Sequence, residues 1–387
     1  MGSVWNLINN LIMNFKGLSY LGLAAVLTNG IGGIFWFYMA SLLGAENYGE
    51  INYYIGIAML VSGLSLFSAP NLLTVFVAKG EKIQSVVYFI SISSSIVAAI
   101  ILFIIFGNLG VSVYTVGFVI FTVTTSDLLG LKRYKDYSIY LVAQRIIMVG
   151  VTILFYYVLG PDGIILGIGI SFLPLIPRVY RTLKKPINFS LYRSKKNFIV
   201  NSYAIDISGL FRGYLDKLLI APILGFVLLG NYQLSIQFLS IISIIPNVMY
   251  QYILPQEASG NPTVKIKILA ILFSIVFAIF GYFASPVLLP MVFPKFVEAI
   301  QIIQIMSFAI IPGTINMMFM AKYLANEKPR IIVIGSIIFI ITQVIGIFVL
   351  SELFGIYGIA AAMVIALSFE SIFFGITERV FFIKKIT

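Results

Sequence analysis

A chain of 387 residues that is 60% hydrophobic and only 10% charged, with a mean hydropathy of +1.05, is far more apolar than a soluble domain needs and suits a polytopic membrane protein. The formal net charge of +11 lies mostly in short basic clusters between apolar runs, which reads as membrane topology rather than nucleic-acid binding. Cysteine and histidine are both absent, which excludes a disulfide framework, Cys or His nucleophiles and bases, and ordinary zinc sites.

Residues 1–16 carry Val4, Trp5, Ile8, Leu11, Ile12 and Phe15 at helical spacing, with Asn6, Asn10 and Asn14 between them. That pattern predicts a short helix lying in the bilayer interface. With no leading positive cluster and no small-residue cleavage site, it does not read as a signal peptide. Apolar runs then place six spans near 18–43, 51–78, 83–106, 110–131, 138–160 and 163–181. A basic linker follows at 182–196, holding Lys184, Lys185, Arg193, Lys195 and Lys196. Six more spans lie near 197–225, 231–256, 265–291, 297–321, 331–351 and 355–381. The expected fold is an all-α polytopic membrane protein of twelve transmembrane helices. Its N-terminal lobe is 1–181, its cytoplasmic linker 182–196 and its C-terminal lobe 197–387.

Lysine and arginine set the orientation. All but four of the 25 fall in one set of loops; Lys295 lies in the opposite set, and Arg145, Arg212 and Lys217 lie inside spans. Both termini and the linker are therefore expected in the cytoplasm.

The chain also repeats itself. Leu43-Gly44 followed by Gly49 closes span one, and Leu224-Gly225 followed by Gly230 closes span seven. Gly160, Gly163 and Ile164 join spans five and six; Gly355, Gly358 and Ile359 join spans eleven and twelve. Matching positions point to two pseudo-symmetric six-helix bundles in the same orientation. The plainer reading is that glycine pairs suit tight turns.

The stretch 201–230 is long and apolar enough to span, yet it carries Asp206, Arg212, Asp216 and Lys217. At about 100° per residue, Asp206, Gly209, Gly213, Asp216 and Lys217 share one third of a helix, with Arg212 on its flank. Gly209 and Gly213 form a GxxxG, which would let another backbone approach. The expected seam faces protein or a water-filled cavity.

Three segments carry a resemblance: LLGAENYGEINYY after span one, ISGLFRGYLDKLLIAPILGFVLLGNYQLS in span seven, and IPNVMYQYILPQEASG in span eight. With them the chain resembles the oligosaccharide (Wzx-type) flippases of the multidrug/oligosaccharidyl-lipid/polysaccharide (MOP) exporter superfamily. The resemblance implies two six-helix bundles, alternating access, and transfer of a polyprenyl-(pyro)phosphate-linked oligosaccharide across the cell membrane in polysaccharide biosynthesis. It implies no enzyme chemistry, no cofactor and no metal. It also implies a cationic cavity that receives the pyrophosphate. The deep charges here depart from that pattern, because Arg145, Arg212 and Lys217 are balanced by Asp206, Asp216 and Glu370.

Arg145, Arg212 and Lys217 are the candidate substrate-binding residues, Arg as a planar fork and Lys as a point charge. The alternatives are that Arg212 pairs with Asp216 and that Arg145 snorkels to the interface. Asp206, Asp216 and Glu370 are candidates for proton or sodium coupling or for structural ion pairs. Asp127 is expected at the interface. Pro70 and Pro246 are candidate hinges or static kinks. Tyr53, Tyr54, Tyr203 and Tyr214 are candidates for stacking on sugar rings. An ion-coupled multidrug or metabolite exporter of the same superfamily is the second reading. A membrane glycosyltransferase is the third, disfavoured by the lack of His and of large outer loops.

Reporter fusions at Lys185 and at Thr387 are expected to read as cytoplasmic. An external signal from either contradicts the twelve-span topology.

Overall fold

The structure is a computed structural model that describes the backbone of residues 2–260 and 262–383 and the side chains of 19–260 and 262–380. The side chains on which the interfacial reading of 1–16 rests lie outside the described residues. Every described element is helical, as a bilayer demands of a chain with no closed barrel. In order they are α1 (Gly2–Ser65), α2 (Ala69–Leu72), a π-helical turn (Leu73–Val77), α3 (Gln84–Phe106), α4 (Leu109–Gly130), α5 (Tyr134–Leu159) and α6 (Asp162–Ile170). A 3₁₀ turn (Leu173–Leu175), α7 (Ile176–Leu183), α8 (Phe189–Ser194), α9 (Lys196–Leu224), α10 (Phe226–Ile242) and α11 (Ile244–Ala258) follow. The chain closes with α12 (Val264–Val292), α13 (Ala299–Ser307), α14 (Ile310–Ala325) and α15 (Pro329–Ile383).

Twelve crossings result. Helix α1 holds two, divided at Gly44, and α15 holds two, divided at Gly355. The bent pairs α10–α11 (50°) and α13–α14 (43°) make one each. Helix α9 is the crossing that carries the charges. The expected fold class is the observed one, with one correction to the turns. Spans two and eight begin at Ala45 and Phe226 rather than near 51 and 231, because the turns shrink to a single residue. Gly44 (φ 76°, ψ 177°) and Gly225 (φ 84°, ψ 172°) make that turn with nearly the same backbone angles. Their positive φ strains any residue with a Cβ.

The chain divides into two compact units: Met1–Tyr38 with Tyr54–Leu210, and Met39–Tyr53 with Phe211–Thr387. In the first, α4 is the central helix, 67% enclosed against 22% for α3 and for α5. Leu72, Leu73, Val86, Val119 and Val123 form its core. Outward-facing α3 shows Val97, Ile100, Ile104 and Ile105, the surface expected toward lipid. In the second, Ile220, Leu229, Tyr232, Ile302, Met306, Ile347 and Ile359 pack together, and α12 presents Val276, Phe280, Phe283 and Val287 outward.

The repeat is built into the backbone of the second unit. A Cβ on Gly49 would run into the carbonyl oxygen of Phe226, and a Cβ on Gly230 into that of Ala45. A shift of 181 positions carries each contact onto the other, so the two stretches cross symmetrically. Within each half, Gly163 backs onto the Phe155 carbonyl as Gly358 backs onto that of Leu350.

Gly49→Ala and Gly230→Ala are each expected to cost about 1–3 kcal/mol by overpacking against backbone. Gly209→Ala, which meets nothing within 4 Å, is expected to stay within about 0.5 kcal/mol. Thermal unfolding in detergent checks the contrast.

Candidate functional site

Helix α9 forms because residues 196–224 offer long apolar runs without a mid-helix breaker until Pro222, close to its end. It brings Arg212 and Glu370 of α15 together. The guanidinium grips the carboxylate with two parallel hydrogen bonds, Nη1–Oε1 at 2.6 Å and Nη2–Oε2 at 2.8 Å. Glu370 is wholly buried, and its Oε2 also accepts from Asn316 Nδ2 at 2.8 Å. Ser371 Oγ donates to Asn316 Oδ1 at 2.6 Å, and the Arg212 guanidinium lies over the Phe339 ring, 4.2 Å from its centroid. The network is closed: a fork-shaped cation meets a carboxylate whose other acceptor site is also filled. Arg212 therefore pairs with Glu370, 158 positions away, and not with Asp216 one turn along.

Asp216 is buried and held otherwise. Its Oδ2 accepts from the Tyr232 hydroxyl at 3.0 Å and its Oδ1 from the backbone N–H of Lys217 at 2.8 Å. The Lys217 ammonium lies 5.1 Å from the centre of the Tyr214 ring and has no carboxylate oxygen within 4.0 Å among the described residues. A Cβ added at Gly209 or Gly213 would meet nothing within 4 Å among the described residues. A small-residue motif permits close approach but supplies no partner.

The first unit holds Arg145 and Asp206. Arg145 stands about three turns into α5. Its guanidinium fills the space a side chain at position 32 would take, about 3.5 Å from where a Gly32 Cβ would be, and its Nη1 reaches only Met148 Sδ at 3.5 Å. No carboxylate pairs with it among the described residues. Beside it, Gln144 is tied to Ser171 at 3.0 Å, which fixes α5 against the end of α6.

Asp206 faces Asn71, whose Nδ2 reaches Oδ1 at 3.1 Å and Oδ2 at 3.2 Å. Asn71 follows Pro70 in the first turn after a break in span two, where Phe67 (φ 46°) and Ser68 (φ 60°) are both left-handed. Each such residue costs about 1–2 kcal/mol. Pro246 also lies in the first turn after a break, the 50° bend at Ser243, and Asn247 Nδ2 bonds back to the Ser243 carbonyl at 2.8 Å. Both prolines thus follow their breaks rather than marking the bending residue.

Asp127, near the end of α4, is 3% exposed and pairs with Arg178 at 2.9 Å, since a carboxylate packed among α3, α4 and α7 must be matched. Of the four tyrosines, Tyr203 donates to the Leu64 carbonyl at 2.8 Å and Tyr214 lies beneath Lys217. Tyr53 and Tyr54 lie against Phe226 and Phe106. Sequence reasoning passed over Asn316, Tyr232, Phe339 and Arg178. Asn316 and Tyr232, polar groups inside apolar runs, were visible as candidates but gave no hint of their partners. No group of three metal-ligating side chains occurs among the described residues.

No family profile matches the sequence, and no curated protein does. Solved structures do. A lipid II flippase MurJ in an inward closed conformation superposes with a TM-score of 0.75 at 13% identity, covering 92% of this chain and 87% of that one. A multidrug resistance MATE family transporter of the MOP superfamily, inward-facing, gives 0.71 at 14% identity, covering 95% and 99%. A MOP superfamily transporter from Pyrococcus furiosus, described as having a binding pocket of reverse polarity, gives 0.54 at 14% identity, covering 95% and 93%. The chain has the fold of the MOP transporters. It is a multi-pass membrane protein.

Glu370→Ala is expected to cost about 3–5 kcal/mol, since it strands Arg212 without its counter-charge. Replacing Arg212 and Glu370 together by Met is expected to recover most of that loss. Unfolding midpoints of the single and double variants check it.

Proposed function

We propose that the protein is a flippase that moves a polyprenyl-(pyro)phosphate-linked oligosaccharide across the cell membrane by alternating access, in polysaccharide biosynthesis. Arg145 is the observation that carries this reading. An arginine at mid-span costs about 2.5–3.5 kcal/mol to insert, and among the described residues no carboxylate offsets it here. Two phosphoryl oxygens supplied by the cargo answer that charge, accepting two parallel hydrogen bonds from the guanidinium in a water-poor setting. Lys217 is the second candidate, a point charge suited to phosphate; no carboxylate oxygen lies within 4.0 Å of its ammonium among the described residues, though the charge of neighbouring Asp216 acts on it. Arg212 takes part through its grip on Glu370, released only when an anion competes for the same two N–H arms. The fold shared with a lipid II flippase supports a cargo with a lipid tail, and the distribution of lysine and arginine supports cytoplasmic termini.

The second reading is an ion-coupled exporter of small molecules. Asp206, a deep carboxylate bonded to an amide rather than to a cation, favours it, as does the likeness to MATE transporters.

Proteoliposomes loaded with a fluorescent polyprenyl-pyrophosphate sugar separate the two. Arg145→Ala is expected to slow transfer at least tenfold and Arg145→Lys to fall between, because the charge survives and the fork does not. Wild-type speed in a well-inserted Arg145→Ala protein overturns the assignment.

A further inference from the structure

We propose that the segment between α7 and α9 is a binding site for an anionic phospholipid, whose headgroup meets Lys184, Lys185 and Arg193 and whose acyl chain runs along the outward side of α3. Residues 163–205 hold seven lysines and arginines and no aspartate or glutamate. The carboxylates that neighbouring elements bring to this end of the first unit are already taken: Asp127 by Arg178, Glu81 by Lys195 and Asp136 by Arg133. Arg181, Lys184, Lys185, Arg193 and Lys196 are exposed, and none has a carboxylate oxygen within 4.0 Å among the described residues.

The segment is short and fastened. A crossing adjoins it on either side, so it lies level with a bilayer surface. Val179, Leu183, Leu191 and Tyr192 pack into the core of the first unit. Ser85 Oγ donates to the Pro186 carbonyl at 2.7 Å, and Asn188 Oδ1 accepts from Leu191 N at 3.1 Å, which caps α8. The Lys195 ammonium, besides pairing with Glu81, lies 4.4 Å from the centre of the Phe76 ring. One set of apolar side chains is thus spent on packing. A second set, Tyr180, Ile187 and Phe189, stays exposed among the cations.

That second set argues for lipid. Cations alone suit water, whereas cations interleaved with exposed apolar side chains suit the headgroup layer, where the two kinds of group settle at different depths. Phe189 sets lipid apart from a soluble polyanion. Its ring lies 6.0 Å from that of Phe89 on α3, edge to face. Phe89 is itself exposed, on the helix that shows Ile96, Val97, Ile100 and Ile104 outward. The apolar surface therefore continues from the segment onto the bilayer-facing flank, as a single lipid molecule requires. Arg193 stands one turn beyond Phe189 on α8 and shares its face. Lys184 lies over the Tyr180 ring, 4.4 Å from its centre, which holds a second charge beside an exposed aromatic.

The site is separate from Arg145 and Lys217, so its test needs no cargo. A chain with Trp5→Phe, Trp36→Phe and Phe189→Trp carries a single indole, at the proposed site. In proteoliposomes of phosphatidylcholine, brominated phosphatidylglycerol is expected to quench that indole with about threefold or greater preference over brominated phosphatidylcholine, a preference that shrinks as salt rises. Lys184→Gln, Lys185→Gln and Arg193→Gln together are expected to abolish the preference. Lys184→Arg, Lys185→Arg and Arg193→Lys together are expected to keep it, which separates loss of charge from loss of folding. Lys132→Gln with Lys135→Gln, cations outside the segment, is expected to leave it unchanged. Equal quenching by the two lipids, or a preference that survives the three glutamines, overturns the proposal. So does an indole that neither lipid quenches but that responds to soluble polyglutamate, the mark of a docking face for an acidic protein.

Discussion

Inside a bilayer a charge is costly until another group answers it, and the polar architecture of this chain follows from that cost. Glu370, with no exposure at all, takes both arms of Arg212 and the amide of Asn316. Asp127 takes Arg178, Asp216 takes the hydroxyl of Tyr232, and Asp206 takes the amide of Asn71. Each answer ties two helices together. A buried pair of this kind adds little net stability over an apolar one, but removing one partner is severe. Arg145 and Lys217 stand apart, because no carboxylate lies within ion-pair distance of either among the described residues. Lys217 still feels the charge of neighbouring Asp216, which leaves Arg145 as the cation on which the proposed reading rests.

A second constraint is that the backbone itself must turn without a loop. Glycine does this twice in the same way, at Gly44 and Gly225, and the helices that follow are so close that Gly49 and Gly230 each face a carbonyl oxygen of the other stretch. The duplication is thereby recorded in dihedral angles and contacts as well as in residue spacing. Proline followed by asparagine recurs too, at Pro70-Asn71 and Pro246-Asn247, each just after a break and each bonding back to the serine at that break.

Local signals carried the fold. Hydropathy marked the twelve crossings, and paired glycines marked the turns, since only glycine takes their backbone angles without strain. The site was less legible because its pairings are distant. Asp216 is one helical turn from Arg212, so spacing favoured that pair, yet Glu370 competes from another helix and binds through both arms. GxxxG carried little information for a similar reason: Gly209 and Gly213 are spaced for contact, but spacing alone names no partner. The pairing of Asp127, near the end of α4, was hidden for the same reason: its partner Arg178 lies fifty-one positions on. The inventory of deep charges was readable; which of them answer one another was not.

The most direct test is the affinity of the purified protein for a polyprenyl pyrophosphate against that for the same polyprenol without phosphate, measured at two ionic strengths. If these cations receive the cargo's charge, the pyrophosphate form binds at least tenfold tighter, with an advantage that shrinks as salt rises. Equal affinity for the two lipids would contradict the reading of Arg145 and Lys217 as receivers of the cargo's charge.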